Sequence, residues 1–168
     1  MSKLRPLKTH PEQSYRSAMK ELIATRWGAV WEAVPAAIAG DDVEGVHDVR
    51  VASRRLRAAM DVAAGCFPAG WYRPLHRLAR EITGALGEVR DRDVMLEFLI
   101  AERETAPPEE QPGIDRLIER VSREREEARE RMLAFLTDLQ ERGASSETAR
   151  RFGPAARAPW DRSERTGR

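Results

Sequence analysis

Apolar residues recur along the chain at three- and four-residue intervals in four long runs, and no stretch of useful length alternates as a strand would. In the first run Tyr15, Met19, Leu22, Ile23, Val30 and Val34 share one side of a helix expected over Glu12–Ala39. Pro35 is expected to kink that helix or end it early. Gly40-Asp41-Asp42 then supplies a break and a candidate N-cap. A second helix is expected over Val43–Ala64, with Gly65 and Pro68 marking its end. A third starts near Tyr72, with Pro74 tolerable in a first turn, and runs to about Arg103 on a stripe of Leu75, Leu78, Ile82, Leu86 and Val89. Ala106–Gly113, with three prolines, reads as a loop. A fourth helix follows over Ile114–Arg142, striped by Ile114, Leu117, Ile118, Val121, Ala128, Met132, Phe135, Leu136 and Leu139. Arg125 interrupts this stripe and is expected to snorkel to solvent. The pattern predicts an all-α four-helix bundle over residues 12–142, an N-terminal arm over 1–11 and a flexible basic tail over 143–168, where Phe152 and Trp160 are the few large apolar side chains.

Composition narrows the picture only slightly. The chain has 168 residues, enough for one domain with a core. No run of about 18 apolar residues suggests a membrane span, and the N-terminal residues lack the apolar stretch of a secretory signal. Cys66 is the single cysteine, so no internal disulfide can form, which fits a cytoplasmic location. The net charge of +1 hides an uneven distribution. Residues 46–92 carry nine arginines against five acids, whereas residues 97–131 carry seven arginines against eleven acids.

The basic segment has a face. At about 100° per residue, His47, Arg50, Arg54 and Arg57 fall within an arc of roughly 80°, opposite Val49, Ala52, Leu56, Met60 and Ala63. Cations stacked one turn apart repel. An oxyanion between them removes the repulsion, and the guanidinium fork can hold two phosphate oxygens at once. On the third helix Arg73, Arg77, Arg80, Gly84, Gly87 and Asp91 follow 4-3-4-3-4 spacing and share a face. The two glycines lower helix propensity by about 1 kcal/mol each. They admit either a tightly packed neighbouring helix or a phosphate chain close to the backbone. Asp91 and Asp93 are candidates to orient arginines of the second helix. The plain alternative for the whole face is that its arginines pair with carboxylates of a neighbouring helix.

The blocks His47-x-x-Arg50-Val51-x-x-Arg54-Arg55-Leu56-Arg57 and Leu86-Gly87-x-x-Arg90-Asp91-x-Asp93-Val94, about thirty residues apart, resemble the CHAD domain, the conserved histidine α-helical domain. The resemblance is specific over residues 43–99 and extends in outline over 12–142. It implies an all-helical fold built as two pseudo-symmetric four-helix bundles around a basic cavity. It also implies binding of inorganic polyphosphate, association with polyphosphate granules, frequent linkage to a triphosphate-processing CYTH domain, and no established catalysis. Carried over by position, His47, Arg50, Arg54, Arg55 and Arg57 line the basic surface, with Arg77, Arg80 and Arg90 as further contributors; Arg73 joins them through its place in the third-helix row. No second His-x-x-Arg helix follows residue 100, and His10 and His76 open no such run, so the chain resembles the N-terminal half of the family's pattern. A homodimer that rebuilds the symmetric groove is the expectation, with a truncated product as the alternative.

The function expected is therefore polyphosphate binding in the cytoplasm, at polyphosphate granules, without catalysis, cofactor or metal. Nucleic-acid binding and a purely structural or dimerising bundle are the alternatives. Against nucleic acid, the basic face lacks interleaved aromatics for base stacking, and Trp71 and Tyr72 are expected to pack. Against an enzyme, His47 is accompanied by no Gly-rich phosphate loop, carboxylate cluster or nucleophile–base motif.

Overall fold

The computed structural model describes residues 14–40 and 43–153, and among them five helices and no strand. Helix α1 spans Tyr15–Ala39. It starts where the Ser14 side chain accepts a hydrogen bond from the Ser17 backbone N–H at 3.2 Å. It stops at Gly40, whose φ of 70° is a left-handed conformation that glycine takes without a Cβ penalty. The helix continues past Pro35 for a further turn instead of ending there. The proline removes one backbone hydrogen bond, but Val34 and Ala37 on either side of it are buried in the core and hold the last turn in place.

Helix α2 spans Val43–Val62 and packs antiparallel on α1. The two backbones lie close at Gly45, where a Cβ would be 2.8 Å from the carbonyl oxygen of Ala36. Helix α3 spans Ala69–Thr105, three residues earlier than the sequence pattern suggests, so Pro74 falls in its second turn. The Tyr72 hydroxyl donates to the Met60 carbonyl at 2.6 Å and ties the start of α3 to the end of α2. Burial pushes the Tyr72 phenol well above its ordinary pKa, with Cys66 and Asp61 adding to the rise. After a short turn, helix α4 spans Gln111–Glu141 and returns along α3.

The core is drawn from Ile23, Trp27, Val30, Val34, Val49, Leu56, Met60, Ile82, Leu86, Met132 and Leu136, all nearly inaccessible. It takes in α3 only as far as Val89 and α4 only from Ala128 onward. Helix α3 is 37 residues long against 25 for α1, so the far ends of α3 and α4 form an antiparallel arm beyond the other helices. The arm buries Leu99 and Val121 but leaves Val94, Met95, Phe98, Ile100 and Leu117 substantially exposed.

The segment after residue 143 corrects the sequence reading. Gly143, at φ 68°, ends α4, and Ala144–Phe152 form a helix, α5, instead of the start of a flexible tail. Helix α5 bridges α1 and α4, which otherwise meet only lightly, so the four long helices do not close into a square bundle by themselves. Its buried residues, Ala144, Thr148 and Phe152, repeat strictly every fourth position. Two of the three are small, which is why the stripe is faint in the sequence. Thr148 accepts a 2.9 Å hydrogen bond from the Trp31 indole, and Phe152 packs edge-on against Phe67 and Trp71. The expected arm over residues 1–11 and the remainder of the expected tail, residues 154–168, lie outside the described residues.

Candidate functional site

Helix α2 turns Val46, Val49, Ser53, Leu56 and Met60 inward. Its arginines are thereby left on the outer half of the helix, and they spread over a wider arc than a single row. Arg50 points toward α3, where its guanidinium is 3.8 Å from the Asp91 carboxylate. Arg57, two turns on, lies along the same edge. Arg54 stands on the crest and is exposed, and half-buried His47 lies a turn before Arg50. Arg55 sits on the other flank, toward α1. Burial, reinforced by the nearby charge of Arg55, lowers the pKa of the Arg26 guanidinium there. Arg26 is a neighbour that no motif in the sequence singles out.

Helix α3 buries Leu75, Ala79, Ile82, Leu86 and Val89. The row Arg73, Arg77, Arg80, Gly84, Gly87 and Asp91 is consequently turned outward. Because Asp91 at one end of that row meets Arg50, the row borders the Arg50–Arg57 edge of α2. The antiparallel register follows from two pairs, Arg50 with Asp91 and Asp61 with His76, the latter at 2.7 Å. In that register Arg57 lies opposite the Arg80–Gly84 turn, and Arg54 opposite Gly87.

The two glycines decide between their alternative explanations. A Cβ at Gly84 or at Gly87 would meet nothing within 4 Å. No neighbouring helix needs the space, so helix–helix packing does not account for either glycine. What remains is a shallow trough with a bare backbone floor. Arg54 and Arg57 of α2 lie along one side of it, and on α3 the same row continues from the glycines through Arg80 and Arg77 to Arg73. From Arg73 to Gly87 the row extends about 21 Å at 1.5 Å per residue.

Internal neutralisation touches only part of this surface. Arg90 is paired with Glu97 at 3.2 Å, along its own helix, and so is withdrawn from the trough. Arg50 keeps the long contact to Asp91. Arg54, Arg57, Arg73, Arg77 and Arg80 make no ion pair or hydrogen bond among the described residues. The Nε groups of Arg50 and Arg57 are shielded from solvent without a hydrogen-bond partner, a state that costs about 1–3 kcal/mol per buried donor.

Asp93 does not serve the second helix, as it could have. It is buried and accepts a 2.7 Å hydrogen bond from Arg125 of α4. Arg125, expected to snorkel, instead turns inward to this carboxylate. Beside it Arg92 reaches Glu124 at 3.8 Å and Arg131 reaches Glu88 at 3.0 Å. Of the α4 acids, Glu124 meets Arg92 and Asp115 meets Arg103 of α3, and among the described residues none pairs with Arg73, Arg77 or Arg80. Trp71 and Tyr72 belong to an aromatic cluster with Phe67 and Phe152 and are packing residues, as expected. Among the described residues no group of three His, Cys, Asp or Glu side chains is placed to hold a metal ion. No helix among the described residues is long and apolar enough to cross a membrane. A search of curated proteins finds no match to the chain. The sequence model of one family, the CHAD domain, matches residues 21–166.

Proposed function

Since the chain belongs to the CHAD domain family, we propose that it binds inorganic polyphosphate along the trough between α2 and α3, in the cytoplasm and at polyphosphate granules, and that it performs no catalysis. The observation that carries the reading is the open glycine floor at Gly84 and Gly87, flanked by arginines without internal partners. A phosphate chain laid along that floor meets guanidinium forks from α2 beside it and from the preceding turns of α3. It relieves repulsion between cations one turn apart and offers oxygens in bidentate geometry. A flexible polyanion fits this strip better than a stacked base, because among the described residues no aromatic ring is interleaved with its arginines.

The site residues are Arg54, Arg57, Arg73, Arg77 and Arg80 as direct contacts, with His47, Arg50 and Arg55 at the margin. Arg90, held by Glu97, is at most peripheral. Five direct contacts set the salt dependence: log affinity should fall with log salt at a slope of about −3.5, at about 0.7 per contact. The test is retention on immobilised long-chain polyphosphate. Arg54→Glu, Arg57→Glu, Arg77→Glu and Arg80→Glu together should abolish retention and leave helical circular dichroism unchanged. Arg90→Glu alone should retain most of it. Retention that survives the fourfold reversal overturns the proposal, and single-stranded RNA competing as well as polyphosphate would redirect it to nucleic acid.

Self-association is part of the same proposal. The arm presents Met95, Phe98, Ile100 and Leu117 to solvent, and burying such side chains contributes about 25 cal/mol per Å². A second copy is the partner proposed, which would place two troughs in one particle.

A further inference from the structure

A second cluster of cations lies apart from the trough, where the start of α1, the α2–α3 turn and the end of α5 meet. Ser14, Arg16, Lys20, Phe67, Trp71 and Arg151 line a cavity of about 380 Å³ there, with no acidic side chain among the described residues of its wall. Trp71 and Arg73 are two residues apart on α3, hence about 200° apart around it. The cavity and the arginine row accordingly open on opposite sides of that helix.

Two of the cations are held in a particular way. The Arg16 guanidinium lies 5.8 Å from the centre of the Phe67 ring, and that of Arg151 lies 5.5 Å from the centre of the Trp71 ring. A guanidinium laid over a ring has its face occupied and its orientation fixed, while its N–H groups point outward in its own plane. Neither arginine makes an ion pair among the described residues, although the adjacent Arg150 is paired with Glu147 at 3.9 Å. Lys20, one turn after Arg16, is exposed and adds a third positive charge. Three cations gathered on one concave wall repel one another, and an anion held among them removes that repulsion.

We propose that this cavity is a separate binding site for a compact phosphate group, a phosphate or diphosphate, gripped by Arg16, Arg151 and Lys20. Its charge suits such a group, and its volume admits one together with bound water. The aromatic rings do not offer a platform for a nucleobase, because their faces and edges are already taken. Phe67 stacks on Tyr72 at 5.3 Å and meets Phe152 edge-on at 5.7 Å, and Trp71 meets Phe152 at 5.4 Å. The rings serve to aim the arginines. The site does not depend on polyphosphate binding in the trough and stands or falls separately.

The experiment is calorimetric titration of the full chain with inorganic pyrophosphate, and in a second arm with adenosine monophosphate. It is run on the wild type, on Arg54→Glu/Arg57→Glu and on Arg16→Gln/Arg151→Gln. Pyrophosphate also meets the trough arginines, so the cavity's own binding event is the one that the trough variant should retain and that the Trp71 signal reports. Losing two charge-assisted contacts in the cavity variant should weaken binding about tenfold or more. Adenosine monophosphate should bind no more tightly than pyrophosphate. Because Arg16 and Arg151 cover aromatic rings, the wild type is also followed by NMR. The Trp71 indole N–H signal, assigned through Trp71→Phe, should shift on addition of pyrophosphate. Unchanged affinity in Arg16→Gln/Arg151→Gln, loss of binding in the trough variant, an immobile Trp71 signal or a strong preference for the nucleotide would each overturn the assignment.

Discussion

Gly84 and Gly87 offer a substitution whose effects on stability and on binding should run in opposite directions. Both lie inside α3, where glycine is less favourable than alanine by about 1 kcal/mol in a helix interior. A Cβ at either position meets nothing within 4 Å, so no clash offsets the gain. Gly84→Ala with Gly87→Ala should therefore stabilise the fold by about 2 kcal/mol, or about 6 °C in Tm at roughly 3 °C per kcal/mol for a domain of this size. If the bare backbone is the floor on which phosphates rest, the two methyl groups lift them by about 1.5 Å. At an effective dielectric constant near 20, an arginine–phosphate pair worth about 4 kcal/mol at 4 Å drops to about 3 kcal/mol. Solvent at these exposed side chains weakens that difference. A loss of about fivefold to tenfold in polyphosphate affinity is the expected net effect. Differential scanning calorimetry and a retention or titration assay at fixed salt measure the two quantities on one sample. A variant that melts higher and binds polyphosphate with unaltered affinity would remove the glycines from the site. A variant that melts lower would show that the space beside α3 is occupied after all.

Three further outcomes are expected. Asp93→Ala should destabilise the chain by about 3 kcal/mol in urea denaturation, because it leaves the inward-turned Arg125 without its buried carboxylate. Asp93→Asn, which keeps an acceptor, should lose less, and equal losses would contradict the role given to the charge. Phe152→Ala should cost about 3–5 kcal/mol, since Phe152 is buried among Phe67, Trp71 and Tyr72; a change within about 0.5 kcal/mol would mean that α5 is dispensable. Phe98→Asp, on the exposed face of the arm, should shift the chain from dimer to monomer in light scattering without altering its circular dichroism, and a wild type that is itself monomeric at micromolar concentration with polyphosphate present would refute the self-association.

Much of the fold was legible because long amphipathic helices write their period into the sequence. Met19, Ile23, Val30 and Val34 in α1, and Leu75, Ile82, Leu86 and Val89 in α3, announce both the helix and its buried side. The helix ends were legible where glycine or proline changes the backbone, as at Gly40 and Gly143. Pro35 misled because the cost of one missing hydrogen bond is local, whereas the burial of Val34 and Ala37 that offsets it comes from other helices. Helix α5 was hidden because its inward positions are Ala144, Thr148 and Phe152, and only the last is a large apolar side chain. Four-residue spacing with small side chains becomes a core stripe only when α1 and α4 close over it.

For the site, the sequence by itself determined which residues are cationic, that His47, Arg50, Arg54 and Arg57 share the outer half of α2, and that Arg73, Arg77, Arg80, Gly84 and Gly87 share one face of α3. Helical period is a property of the chain alone, so no coordinates are required for that. Only the tertiary structure decided which of these charges remain available. It gave Arg50 a distant partner in Asp91, gave Arg90 to Glu97, sent Arg125 inward to Asp93 and left the space beside Gly84 and Gly87 open. It also brought Arg16, Lys20 and Arg151, more than 130 positions apart at their extremes, around one cavity. The physical reason is that charge pairing and open volume depend on distances between helices, and those distances are set by how the buried faces interlock.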